Sequence, residues 1–226
     1  MRTTDLIRSQ VILVVHKHAH SDDVHKPQAI YSVMPSEFDP QPGIYYTIGV
    51  HPWYLENADQ ELQLLKQLVN HPQVVGVGEC GLDPNSDFDQ KLQRNVFFTQ
   101  LEIANEAKKP VVLHMVRLTQ WAEKAKKDSK FSDIPSWIMH GYRGRSRPVL
   151  NLVRLGFYFS IGFKASDVCS LYVPKDLMLL ESDDETASMY EHIEHIAKVR
   201  NEEPYDVVIT ARENATKVFF PEKVKQ

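Results

Sequence analysis

The chain is poor in cysteine, with only Cys80 and Cys169 among its 226 residues. Two thiols are too few for a disulfide framework or a thiolate zinc site. A charge excess is missing as well: 26 lysines and arginines against 30 aspartates and glutamates leave a net charge of −4. A mildly acidic chain exerts no overall pull on nucleic acid, so a polyanion would have to be held locally. Val11–Val15, the longest apolar run near the start, is too short for a signal sequence or a membrane span. The expectation is a cytoplasmic, monomeric protein without membrane contact. Low-complexity tracts, close repeats and Gly/Ser-rich linkers are also lacking. With 42% hydrophobic and 25% charged residues, disordered, collagen-like and coiled-coil chains are excluded. One domain spanning 1–226 is expected, large enough to bury about 70% of its unfolded surface without a covalent staple.

What the chain does have is a rhythm. Short runs rich in Val, Ile and Tyr, at Val11–Val15, Gln28–Met34, Tyr45–Val50, Val74–Val77, Val111–Leu113, Trp137–Met139, Phe157–Ile161 and Leu177–Leu180, predict strands. Several are continuously apolar, as in parallel strands buried on both faces. Helical periodicity predicts helices over Asp59–Asn70, Phe88–Lys109, Leu118–Lys130, Ser146–Leu155, Thr186–Arg200 and Glu213–Phe220. The alternation predicts an α/β fold, a distorted TIM (β/α)8 barrel, with an open doubly wound sheet as the runner-up. The link between the first two strands carries Ser21, Asp22, Asp23 and Pro27 with no helical period, so the first βα unit is expected to be degenerate.

Ligand-type side chains recur where these strands end. His18 and His20 follow the first strand, and alternation along extended backbone points both imidazoles to one side. Glu79, His114, His140 and Asp183 follow later strands, at the end where barrel enzymes build their active sites. Singly, each has a duller reading as a packed histidine or a helix cap. Together, two carboxylates converging without a cation would leave buried charge uncompensated, at several kcal/mol. These six side chains exceed a closed four-ligand site and imply two metal ions about 3.5–4 Å apart that activate a hydrolytic water. Imidazole with carboxylate suits Zn, Mn, Fe or Ni and argues against a pure calcium site.

Taken in order, HKHAH (His16–His20), GVHPW (Gly49–Trp53), GECGLD (Gly78–Asp83), KPVVLH (Lys109–His114), HGYRG (His140–Gly144), LLESD (Leu179–Asp183) and ENATKVF (Glu213–Phe219) resemble the TatD family of metal-dependent hydrolases. The resemblance runs from about residue 14 to 220. It implies a distorted TIM barrel of the amidohydrolase type and phosphodiester hydrolysis dependent on two divalent ions (Zn, Mn, Mg, Fe or Ni), commonly a deoxyribonuclease activity. By that resemblance the metal ligands map to His18, His20, the shared carboxylate Glu79, His114, His140 and Asp183. The chain departs from the family pattern in several places. His16 stands where an acidic residue is usual, and the segment from His20 to His51 is short. Val116 occupies a usually basic position, with Arg117 one step on. HGYRG replaces an HCFSG-like turn, and ESD replaces ETD.

The expected mechanism has Asp183 as general base and Glu79 as bridging ligand, the two catalytic carboxylates. Arg117, Arg143, Arg145 or Arg147 could fork onto a phosphate. His51, Trp53 and Tyr142 complete the candidate substrate-binding set, with Trp53 able to stack on a base or sugar. The expected substrate is nucleic acid or a small phosphoester. The rivals are a C–N or carboxylic-ester hydrolase of the same chemistry and a metal-binding barrel without turnover. Lys124, Lys126, Lys127 and Lys130 read as the polar face of an amphipathic helix, His192 and His195 as surface residues, and Cys80 as packing.

Overall fold

The computed structural model describes residues 14–18, 29–144, 146–183 and 188–224, the side chains of 14–18, Ser146 and Val224 excepted. Its strands are β1 (Val14–His18), β2 (Ala29–Val33), β3 (Tyr45–Ile48), β4 (Val74–Leu82), β5 (Val111–Met115), β6 (Trp137–Met139), β7 (Tyr158–Ile161) and β8 (Met178–Leu180). Helices α1 (Ala58–Leu68), α2 (Gln90–Ala107), α3 (Thr119–Lys127), α4 (Ser146–Arg154), α5 (Asp167–Tyr172), α6 (Met189–Arg200), α7 (Pro204–Phe219) and α8 (Pro221–Val224) come between and after them. This is the α/β alternation read from the sequence. The chain divides into two compact units, one of Tyr31–Met139 and the other of Met1–Ile30 with His140–Gln226.

In the Tyr31–Met139 unit β3, β4, β5 and β6 pair in sequence order, all parallel. Every residue of β4 is buried, which is why its run reads as uninterrupted apolar sequence up to Val77. The strand does not end with that run but continues to Leu82. The glycines serve close packing instead of a turn. A Cβ at Gly49 would lie 2.7 Å from the Gly78 backbone, and one at Gly81 would meet the His114 carbonyl. Outside the sheet, the Asp89 carboxylate caps α2 by accepting from the Lys91 and Leu92 amides at 2.7 and 3.2 Å. The buried face of α2 carries Val96, Phe97 and Leu101, but also Gln93 and Gln100. On α3, Lys124, Lys127 and nearby Lys130 are exposed, as the amphipathic reading expects, while Lys126 is half-buried with its ammonium 5.5 Å over Trp137.

In the other unit β8 lies between β7 and β1, again all parallel. Pro204 opens α7 well before the expected start at Glu213, since proline at the first helical position gives up no hydrogen bond. The Asn214 side chain, from the ENATKVF motif, donates to the Lys175 and Met178 carbonyls at 2.7 Å each and ties α7 to the start of β8. The expected helix start at Thr186 lies outside the described residues. The surface reading of His192 is corrected: it is 6% exposed. Its Nε2 sits 3.0 Å from the Ile161 carbonyl and its ring stacks on Phe163. A helical period shows which residues share a face, not which neighbour covers it. His195 is exposed as expected and pairs with Asp167 at 2.8 Å.

Two outcomes follow from this packing. Gly81→Ala forces β4 from β5 and should cost about 1–3 kcal/mol, read as a melting temperature lowered by roughly 2–4 °C per kcal/mol; wild-type melting would contradict the close approach. Burial, opposed by the Ile161 hydrogen bond, holds the His192 pKa below its usual 6.5. The unfolded chain therefore binds more protons between the lowered pKa and 6.5, so this contribution to stability is whole above 6.5 and is lost as pH falls below it. Urea unfolding of wild type and His192→Gln between pH 8 and 5 should show the smaller loss in the variant.

Candidate metal centre

Within the Tyr31–Met139 unit the candidate residues gather around His114. It lies opposite Gly81 in the β4–β5 register, and the carboxylates two residues to either side of Gly81 reach its two ring nitrogens. Glu79 Oε1 is 2.6 Å from Nδ1, and Asp83 Oδ2 is 3.1 Å from Nε2. The two acids thus meet the two ends of one imidazole from either side of the glycine that lets β4 and β5 approach. Both carboxylates are buried. The indole N–H of Trp53 donates to Asp83 Oδ2 at 2.8 Å, and the Asn85 amide donates to its Oδ1 at 2.8 Å. Burial pushes the Asp83 carboxyl up, but the hydrogen bonds from the Asn85 amide, His114 and Trp53 outweigh it and hold the group below its usual range.

His51 approaches the same oxygen of Glu79, with Nε2 3.6 Å from Oε1 and its ring centroid 4.5 Å from that of His114. Two glutamines of α2 hold the strand exits that carry these groups. Gln100 bonds both the amide and the carbonyl of Val50, at 2.7 and 3.0 Å, and Gln93 bonds those of Asp83, at 2.9 and 3.1 Å. Ligand atoms of His51, Glu79 and His114 all lie within 4.8 Å of one another. Two imidazoles and one carboxylate are a donor set that fits a divalent transition ion, and three protein ligands leave coordination positions for water or substrate.

The other unit carries His140, at the exit of β6, and Asp183, beyond β8. His140 is held by a residue the sequence reading passed over. Glu181, 1% exposed, places Oε2 2.9 Å from His140 Nδ1 and accepts the Gly141 amide on Oε1 at 2.9 Å. Asp183 adopts a left-handed backbone, φ 53°, and lines a small pocket with Gly141, Arg143, Gly162, Lys164 and Glu181.

Trp53 is 47% exposed, and Arg117 and Arg143 are exposed at strand exits. Tyr142 turns inward, buried and edge-on to Phe159, so packing occupies the ring expected at the substrate. Cys80 is buried with its sulfur 3.7 Å from the Val112 carbonyl, as the packing reading expects. His18 ends β1, while His20 and Arg145 lie outside the described residues. Asp83 and Glu181 were the residues missed. The signal for both was nearness in sequence to a chosen carboxylate, Asp83 four places after Glu79 and Glu181 two places before Asp183.

Comparison with known proteins agrees with this chemistry. The family model of TatD-related DNases matches residues 27–220. A protein of Buchnera aphidicola described as an uncharacterized metal-dependent hydrolase is 26% identical over 198 residues, 78% of this chain and 74% of that protein. The 3'-5' ssDNA/RNA exonuclease TatD of Musicola paradisiaca is 31% identical over 155 residues, 61% of this chain but only 55% of its own length. The crystal structure of YJJV, a TatD homolog from Escherichia coli, superposes with a TM-score of 0.76 at 22% identity, covering 91% of this chain and 97% of that one. Fold and relatives define the class: a metal-dependent hydrolase of the TIM-barrel-like type. The chain belongs to the TatD-related DNase family, as the order of its motifs suggested.

Removing Asp83's charge by Asp83→Asn should weaken zinc or manganese binding about 10–100-fold through the loosened His114, with a larger loss in Glu79→Ala. Calorimetric metal titration checks both, and wild-type affinity in Asp83→Asn would detach that carboxylate from the site.

Proposed function

We propose that this protein hydrolyses phosphodiester bonds, in nucleic acid or a smaller phosphoester, with water as the nucleophile and two divalent ions (Zn, Mn, Mg, Fe or Ni) as cofactors. The whole chain works as one domain. The observation that carries the reading is the cluster of His51, Glu79 and His114, whose ligand atoms all lie within 4.8 Å of one another. The name of the Musicola relative, an exonuclease of single-stranded DNA and RNA, supports nucleic acid as the substrate class. In this reading Glu79 and His114 of that cluster hold the metal together with His18, His20, His140 and Asp183, and His51 is their neighbour on the substrate side. Bound there, it would supply a water that ionises near neutral pH and would polarise the scissile ester.

The chain's own groups divide the remaining work. Asp183 accepts the proton of the attacking water. Arg117 and Arg143, exposed and always charged, hold non-bridging phosphate oxygens through forked hydrogen bonds. Trp53 offers an exposed indole face to a base, and His51 borders the reacting ester. Asp83 and the indole N–H keep His114 oriented, so the reacting groups need not be ordered anew at each turnover.

The test is hydrolysis of a 5'-labelled single-stranded oligonucleotide and of a chromogenic phosphodiester by metal-depleted protein before and after reloading. Activity should return with metal. Asp183→Asn should lower kcat about 10²–10⁴-fold while retaining metal. Equal rates would remove Asp183 as the base, and a metal-loaded wild type inert toward every diester would sink the reading.

A further inference from the structure

We propose that Glu181 is a positioning residue for His140: it holds the imidazole in the tautomer protonated on Nδ1 and so makes Nε2 the ring atom offered to a cation. This rests on the reading of His140 as a metal ligand, and it names which nitrogen acts and what sets it. Three strand exits converge on this carboxylate. His140 follows β6, Gly162 follows β7 and Glu181 follows β8. The carboxylate is engaged at both oxygens, Oε2 at 2.9 Å from His140 Nδ1 and Oε1 at 2.9 Å from the Gly141 amide.

An ionised carboxylate has acceptor sites only, and a backbone amide can only donate. With Gly141 directed at Oε1, the Glu181 side chain is held so that Oε2 faces the ring. The ring atom facing it must then carry the proton, which leaves the lone pair on Nε2. Glycine at 162 makes room for this arrangement. A Cβ there would lie 2.8 Å from Glu181 Oε1 and 2.9 Å from its Cγ, so any side chain at this position would push the carboxylate aside. A carboxylate hydrogen-bonded to the second nitrogen of a ligating histidine fixes ring orientation and raises its basicity.

The experiment uses the metal-free full chain labelled with ¹⁵N-histidine, whose two-bond ¹H–¹⁵N correlations distinguish the tautomers. His140 is assigned by the signals lost in His140→Gln. The wild type should show a protonated Nδ1 and a lone pair on Nε2. In Glu181→Gln, which keeps a single acceptor for two donors, the preference should collapse or invert, and zinc or manganese affinity should fall about 10–100-fold with melting retained. Gly162→Ala, which displaces the carboxylate without changing its chemistry, should show a smaller loss in the same direction. It carries the test, with the wild-type spectrum, if Glu181→Gln fails to fold. A wild-type His140 protonated on Nε2 overturns the proposal. So does an unchanged tautomer and affinity in Glu181→Gln and Gly162→Ala while His140→Gln loses metal. If His140→Gln keeps its metal, His140 is not a ligand: the proposed ligand set fails at that residue, and the ligand half of this inference fails with it.

Discussion

The backbones of β4 and β5 meet at Gly81 so closely that a methyl group there would sit on the His114 carbonyl. That approach brings His114 between Glu79 and Asp83, one carboxylate at each ring nitrogen. Gly49 does the same service between the exit of β3 and β4, and His51 follows it by two residues. The side chains that could bind a metal in this unit are therefore set by how near three strand exits come to one another, and glycine permits that nearness by having no side chain.

Burial makes the arrangement costly to misplace. Asp83 and Glu181 are each 1% exposed, and an unpaired buried carboxylate costs several kcal/mol. Each is answered by a backbone amide and an imidazole, and Asp83 also by the Trp53 indole. The amide side chains of Gln93, Gln100 and Asn214 do similar work on the backbone, bonding amides and carbonyls at the ends of strands. Packed apolar residues would stabilise the same places as well or better. Carboxylate–histidine pairs at strand exits, where barrel enzymes put their chemistry, are what a metal-dependent hydrolase needs and a merely stable fold does not.

Much of this was readable along the chain. Parallel strands buried on both faces leave continuous apolar runs, so every strand from β2 to β8 begins within a residue of where its run predicts. Glu79 and His114 were identifiable because a charged or imidazole side chain directly after such a run is out of place in a core. Other features left no such trace. Gly78 and Gly81 resemble strand terminators, yet they are sites of close approach inside β4. Asp83 and Glu181 resemble ordinary turn acids until their partners, about 30 and 40 residues away in sequence, are in view. His192 has the spacing of a surface histidine and is covered by β7's exit and Phe163.

Residue order thus settled the periodic features: strand and helix alternation, the positions where ligand-type side chains leave the strands, and the motif series that marks the family. Those depend on local backbone geometry, which repeats every few residues and can be read in a window. Which nitrogen of a histidine meets which carboxylate, and which glycine lets two backbones touch, depended on folding. Such contacts join residues far apart in the chain at distances of about 3 Å, where the precision comes from packing that no local pattern encodes.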